Sequence, residues 1–471
     1  MILSDAVTTP TPRILWIELT SKCPFDCVFC TRRLRFGAGR HLDFEILERV
    51  IGELDHPDFI GLNYSGESIY YPRILDAIRL AASTGALTEL VTAFSTISPK
   101  ILQGLVEEGL DRLAVSLHTL VPQQYEKIYR YGSLDALKQR IHELLDLKAR
   151  LGVQKPRLDF CFVAMSENLD QLLPVVKYAQ SVGVAEVSVH PIIGRHAVPY
   201  DFTRELKGIS LRDEFKNDLR ETVAIVKMAY PHFAVNVLNP DIDLNPKLTH
   251  TPGYYSPLLP EGARIHTCDQ SPFESAHILA GGDVVVCEVL DEISLGNLHE
   301  RPLREIWHSD AYREFRRKYA AGQSPQCRTC VWKQAYWPEP ESSSIKVSEG
   351  MSPQLLRGWH LHERRAPLWG RRQALAMLAN PSRKRRLRIV GTLPHAAGGN
   401  SVVVTCNRNR IAEIVNSAAS FKSFDKVFKL PEPWESLYVE LTVKATHRPS
   451  LYSSSVDSRD LGIGLHQIEV C

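Results

Sequence analysis

No uninterrupted apolar run in the 471 residues is long enough to span a bilayer, which excludes a helical membrane span. The start, Met1-Ile2-Leu3-Ser4-Asp5, lacks a basic region followed by an apolar core, so no secretory signal is visible. A strong charge of either sign is missing too. The net charge of +2 argues against a general nucleic-acid or membrane partner. No internal repeat or long low-complexity stretch is evident. What is present, 44% hydrophobic and 23% charged residues, is the composition of a globular protein with large cores, expected to be cytoplasmic and to form two to four domains. In a reducing compartment, its ten cysteines read as metal ligands before disulfides.

The densest cysteine signal is Cys23-Pro24-Phe25-Asp26-Cys27-Val28-Phe29-Cys30, directly after the apolar run 14–19. Thiolates are the natural ligands of iron–sulfur clusters, and three of them leave one iron of a four-iron cluster open. A closed structural zinc site normally takes four protein ligands, and no His or fourth Cys lies nearby. A disulfide suits an odd number of cysteines poorly.

Cys-x3-Cys-x2-Cys after a first strand, with Phe29 before the last Cys, resembles the radical S-adenosylmethionine superfamily. The resemblance implies that the open iron binds the methionine moiety of the cofactor, and that electron transfer releases a 5′-deoxyadenosyl radical that abstracts a substrate hydrogen. A reductant such as flavodoxin or ferredoxin is implied with it.

From residue 13 to about 191, short β-branched runs alternate with amphipathic ones. Strands are expected at 14–19, 59–64, 87–92, 112–116, 157–163 and 186–190, and helices at 44–54, 72–83, 99–108, 134–151 and 169–182. Asp43 and Ser98-Pro99 are start signals for two of the helices. Such alternation predicts parallel βαβ units, and six of them suit the α/β partial (βα)6 barrel that the resemblance implies. Sites on such barrels lie at the C-terminal strand ends, where the cysteine loop falls.

After the second strand, Tyr64-Ser65-Gly66-Glu67 resembles the family's Gly-Gly-Glu element, with Ser65 in place of the first Gly. In the family this turn seats the methionine amino group, although an ordinary βα turn reads the same way. Ser116 and His118, at the fourth strand end, resemble the ribose-contacting segment. The fifth strand resembles the adenine-side strand; Cys161 on it reads more readily as a buried core thiol than as a hydrogen donor. Tyr64 and His118 are pocket-facing by position, and equally suit satisfied polar groups at a barrel mouth.

A second constellation is Cys268, Cys287, Cys327 and Cys330. A Gly281-Gly282 hairpin signal precedes Cys287, a Leu295-Gly296-Asn297-Leu298 turn follows it, and Cys-x2-Cys closes the set. Four thiolates of this kind hold zinc or a four-iron cluster equally well. After a radical-SAM barrel they resemble the cysteine-rich auxiliary-cluster domain called SPASM, in its short form called twitch. Residues 331–340 contain no further cysteine, which argues for one auxiliary [4Fe-4S] cluster, fully ligated by protein and suited to electron transfer. Arg195 and Glu288 are candidates for orienting or deprotonating substrate; surface roles suit them equally.

Beyond residue 340, a linker around Glu341-Ser342-Ser343-Ser344 leads into a stretch, 357–388, with ten Lys or Arg against one acid. That stretch reads as a solvated face before an anion site. Alternating runs at 387–390, 401–406, 426–430, 437–443 and 466–470 predict an antiparallel β-sandwich. The segment 457–463 resembles accessory sandwich domains of bacterial cell-surface-glycan enzymes. Cys406 and Cys471 have no partner spacing and read as structural or incidental.

The expected division is a tail 1–12, the barrel 13–200, a connecting segment 201–260, a small α+β auxiliary domain 261–340, a linker 341–356 and a C-terminal sandwich 357–471. The spacing resembles that of an aminocyclitol dehydrogenase, and only about a dozen residues precede the first strand, leaving no leader-binding domain in front of it. The expected substrate is therefore a small molecule (a sugar, aminosugar or cyclitol) that is oxidised or epimerised. The alternatives are maturation of a ribosomal peptide and, from a different class, a non-catalytic metal- and glycan-binding scaffold.

Overall fold

Helices with one apolar stripe must lay it on a sheet, and the first part of the chain does so repeatedly. The structure, a computed structural model, describes residues 10–192, 200–207, 210–238, 259, 261–268, 270–288, 290–330, 332–349, 352, 354–356, 358–360, 366–396, 398–447, 449 and 461–471. Strands β1 (Ile14–Ile17), β2 (Phe59–Gly61), β3 (Leu87–Thr92), β4 (Arg112–Ser116), β5 (Arg157–Ala164) and β6 (Glu186–Pro191) pair in that order, all parallel. The helices Phe44–Glu53, Ile74–Ala82, Pro99–Glu107, Leu134–Leu151 and Leu172–Ser181 connect them. In Leu134–Leu151 the buried residues Leu134, Leu137, Ile141 and Leu144 follow the helical repeat, and each contributes about 1.5–3 kcal/mol by burial. Ser133 caps that helix through Ala136 N, and Ser98 caps Pro99–Glu107 through Ile101 N. Asp43 occupies a cap position without a side-chain cap bond. This partial (βα)6 arrangement is the one expected.

Two additions extend the sheet. Ala234–Val237 pairs parallel with β6 on one side. On the other, Ser275–Ile278 pairs parallel with β1 and turns through Gly281-Gly282 into Asp283–Val285 and then Ser294–Asn297. The hairpin signal is thus correct. The expected turn at Leu295-Gly296-Asn297, however, is extended backbone, because its groups complete the ladder with Asp283–Val285.

Contacts divide the chain into two compact units, one of residues 7–244 and 270–316, the other built mainly of 317–471 together with Arg264–Cys268. In the second unit, a sheet of Ser344–Lys346, Gly464–Val470, Arg386–Leu393 and Lys422–Lys429 packs with one of Gln373–Ala379, Ser436–Val443, Asn400–Cys406 and Asn409–Asn416. Strict alternation of buried and partly exposed residues along Asn400–Cys406 and Ser436–Val443 marks an antiparallel sandwich. Cys406 is part of its core, and Cys471 is exposed. Gln373–Ala379 and Asn409–Asn416 were not expected as strands. The first is a run of Ala, Leu and Met with almost every residue buried, so it carries no alternation to read. Among the described residues, no helix is long and apolar enough to cross a membrane.

Candidate active site

The inner face of the parallel sheet is where the alternation inverts. On β5, Leu158, Phe160, Phe162 and Ala164 are buried; Phe160 stacks on Tyr178 of an outer helix, 6.0 Å between ring centroids. Cys161 and Val163, pointing the other way, are only half-buried, as are Trp16, Val91, Ser116 and His190. A closed core would bury both faces. Half-exposed inner residues leave room in the lumen at the C-terminal strand ends.

The cysteine loop is fastened over that room at three places. Ser21 N donates to Arg40 O at 2.9 Å, and the buried Arg32 donates from Nη1 to Ser21 O at 3.0 Å. Asp26 N and Val28 N donate to the carbonyls of Tyr129 and Ile128, at the end of helix Pro122–Tyr129, which the left-handed Arg130 terminates. Glu67 N donates to Lys22 O at 3.0 Å. The last contact needs Gly66, since a Cβ there would stand 2.1 Å from Thr20 O and 2.8 Å from Lys22 O. Gly66→Ala is accordingly expected to destabilise the chain by about 1–3 kcal/mol through overpacking, and to weaken S-adenosylmethionine binding more than tenfold. Thermal unfolding and equilibrium dialysis check the two parts.

Cys23, Cys27 and Cys30 are half-buried free thiols. Burial first, and then the charges of the neighbouring thiols, push Cys27 well up, while burial and Glu67 raise Cys23 to about 12. Thiols this costly to ionise alone, set close enough to feel one another, fit a site where metal supplies the compensating charge. Among the described residues, no three His, Cys, Asp or Glu side chains are arranged to hold a single metal ion. The thiols are candidates for the wider spacing of a multi-iron cluster.

Glu67 is 4% exposed; its Oε2 accepts from Ala93 N at 2.8 Å, its Oε1 is buried without a hydrogen bond, and burial raises its pKa to about 7. Ser65 donates its hydroxyl to Glu18, which also accepts from Ala280 N at 2.9 Å. Tyr64 donates to Asp291 Oδ2 at 2.8 Å, and Asp291 also pairs with Arg35 of the helix following Cys30. These partners hold the β2 turn to the end of β1 and to the loop after Cys287. Glu18, Arg35 and Asp291 had escaped sequence reading. The one available signal was a carboxylate inside the apolar run Ile17-Glu18-Leu19.

Ser116 stands half-buried at the end of β4, and its carbonyl accepts from Tyr129 Oη at 2.7 Å. His118 differs from a pocket-facing group. It is 2% exposed, stacks on Tyr129 at 5.2 Å, meets the edge of Phe29 at 5.4 Å, and accepts from Val163 N through Nδ1. Burial lowers its pKa to about 3, so it is a neutral prop under Phe29. Cys161 lies half-buried on the inner face, not within the outer core, and burial raises its thiol to about 12. Glu288 is half-buried in the loop after Cys287. Arg195 lies outside the described residues, as do residues 457–460 of the stretch that suggested glycan enzymes.

Of the second cysteine set, Cys268, Cys327 and Cys330 belong to one compact unit and gather around one hydroxyl. Tyr319 is pushed well above the usual range by burial and then by all three thiols. Cys287 belongs to the other unit, where its charge reaches Tyr312.

Comparison with known proteins agrees with this anatomy. Residues 17–179 match the radical SAM superfamily, and residues 268–331 match SPASM, an iron–sulfur cluster-binding domain. A tungsten-containing aldehyde ferredoxin oxidoreductase cofactor-modifying protein of Pyrococcus furiosus is 21% identical over 347 residues, 69% of this chain and 88% of that one. A PqqA peptide cyclase of Gluconobacter oxydans is 22% identical over 341 residues, 70% of this chain and 86% of the relative. The crystal structure of Streptococcus suis SuiB bound to precursor peptide SuiA shares the fold, with a TM-score of 0.50 at 14% identity over 69% of this chain and 71% of SuiB. An S-adenosylmethionine-binding cluster and an auxiliary [4Fe-4S] cluster follow from the two domains. Neither of these two curated relatives is named as a dehydrogenase or an epimerase.

Proposed function

We propose, for a chain that belongs to the radical SAM superfamily and carries a SPASM iron–sulfur domain, that it takes a hydrogen atom from a residue of a peptide substrate. When bound, the cluster and S-adenosylmethionine supply an electron and a carbon radical strong enough to attack a C–H bond. The observation that carries the reading is three mutually interacting thiols on a loop pinned over a half-open lumen. Cys23, Cys27 and Cys30 would each ligate one iron. The Ser65–Gly66–Glu67 turn would seat the methionine amino group, and Ser116 the ribose. Tyr64, held by Asp291, and Cys161, on the inner face of β5, would border the substrate. A buried, neutral His118 keeps Phe29 in place without adding charge beside the cofactor. Similarity to a peptide cyclase over most of both chains supports a peptide as substrate.

The test uses reduced enzyme, S-adenosylmethionine and two panels, deuterated short peptides encoded near the gene and deuterated sugars or cyclitols. Deuterium is expected in 5′-deoxyadenosine from a peptide. Transfer from a sugar or cyclitol, with none from any peptide, would return the reading to carbohydrate oxidation.

A further inference from the structure

In a chain whose net charge is only +2, the segment 20–41 carries five Lys or Arg against one acid, Asp26. Folding engages two of the five. Arg32 is buried with its Nη1 on Ser21 O, and Arg35 pairs with Asp291. Lys22, Arg33 and Arg40 are exposed. Arg130, at the end of helix Pro122–Tyr129, joins them. That helix itself adds Glu126 and Lys127, one acid and one base, and no net charge.

Arg33 and Arg130 share one partner. Their Nη1 atoms stand 3.2 Å and 3.4 Å from the same oxygen, Asp26 Oδ2. Asp26 directly precedes Cys27 in the cysteine loop. One carboxylate thus answers two guanidinium groups, whose side chains are 64% and 44% exposed, and a net positive charge remains on the solvent side of the loop. Two exposed apolar side chains adjoin these arginines. Leu34, next to Arg33, is 60% exposed. Tyr131, next to Arg130, is 51% exposed and meets the edge of Phe25, a buried residue of the cysteine loop, at 5.7 Å between ring centroids. A small apolar spot with a basic rim fits a weak encounter with a protein of opposite charge.

We propose that this face, formed by Arg33, Leu34, Arg130 and Tyr131, is where an acidic one-electron carrier protein docks to reduce the cluster of Cys23, Cys27 and Cys30. The proposal rests on the radical SAM reading, in which that cluster takes one electron from outside for each cofactor cleaved. The carrier is oxidised by that one electron, and no bond or proton moves in the transfer. The three thiols are half-buried and lie on the same loop as Asp26 and Phe25. A carrier seated on Arg33 and Arg130 is therefore brought up to the loop that holds the cluster. Attraction between opposite charges speeds such encounters, and salt removes it.

The experiment uses the full-length chain with its clusters and a purified flavodoxin of strongly negative net charge. Binding is read from the nuclear magnetic resonance shifts of labelled, oxidised flavodoxin. Turnover is read as 5′-deoxyadenosine formed with reduced flavodoxin and, separately, with dithionite. Arg33→Glu combined with Arg130→Glu is expected to weaken binding, and to lower kcat/KM for flavodoxin, by about tenfold at low salt. Its dithionite rate should stay within about twofold of wild type. Arg33→Lys combined with Arg130→Lys should behave as wild type. So should Arg150→Glu, at the far end of the helix Leu134–Leu151, which is about 27 Å long. Raising the salt should slow the flavodoxin-driven reaction of the wild type and not the dithionite-driven one. The proposal is overturned if the Glu double variant binds flavodoxin as wild type does, or if the Lys double variant or Arg150→Glu weakens binding equally. It is also overturned if dithionite turnover falls as far as flavodoxin turnover. Should the double variant lose iron, Arg33→Glu alone makes the same comparison. A wild-type chain that forms no 5′-deoxyadenosine with dithionite defeats the radical SAM reading instead.

Discussion

Replacing Cys23, Cys27 and Cys30 together with Ala is expected to lower the reconstituted iron content from about eight to about four per chain, and to abolish formation of 5′-deoxyadenosine. The two effects separate the two cysteine sets. The loop carrying the three thiols is held by backbone bonds from Ser21, Asp26, Val28 and Glu67, none of which involves a thiol. The triple variant should therefore keep its fold and its auxiliary iron. Iron analysis, quantification of 5′-deoxyadenosine after dithionite reduction and far-ultraviolet circular dichroism read the three quantities. A triple variant that still makes 5′-deoxyadenosine would move the cofactor site elsewhere. A wild-type content near four irons with stoichiometric zinc would make the second site structural.

The second large effect is expected at the opposite end of the lumen. Arg112 reaches Glu89 at 2.8 Å and also pairs with Asp159, while Arg157 holds Asp159 at 2.8 Å and Glu186 at 2.6 Å. Asp159 is wholly buried, and Glu89 nearly so. Arg112→Met removes the one cation paired with Glu89 among the described residues and halves the compensation of Asp159. A buried ion pair broken on one side costs about 3–5 kcal/mol. Burial already raises the pKa of Glu89 above its ordinary 4.5 even with Arg112 opposing it. Losing Arg112 raises it further. A carboxyl whose folded pKa lies above its unfolded one adds stability at low pH and loses it as pH rises through the folded value. The deficit of the variant should accordingly be small near pH 4.5 and grow towards neutral pH, as denaturant titrations at several pH values will show. A constant deficit across that range would place the cost in packing and not in charge.

Local pattern carried much of this architecture. The six parallel strands lie close to their expected bounds, because β-branched runs between amphipathic helices leave few other ways to bury both. Leu87–Thr92 and Arg112–Ser116 coincide with the expected strands. The cysteine spacing was equally legible, since three thiols within eight residues constrain the chemistry before any folding. The sandwich strands with strict alternation, such as Ser436–Val443, could be read for the same reason. Gln373–Ala379 could not, because burial of both faces erases a period of two.

What the sequence determined by itself was therefore the class of chemistry and the order of its secondary structure, both of which are written in short-range spacing. Tertiary structure decided which polar groups meet. Glu18 meets Ser65 and Ala280, Tyr64 meets Asp291, and Arg316 lies against Trp307 and Tyr312. Glu18 and Ala280 are joined by folding across more than two hundred residues, and no periodicity encodes such a pairing. It was tertiary structure too that made His118, of its two expected readings, the buried and hydrogen-bonded polar group, and that set Cys161 half-buried on the inner face of β5. The physical reason is that burial and partner together set the charge and role of a polar side chain, and both are properties of the folded neighbourhood.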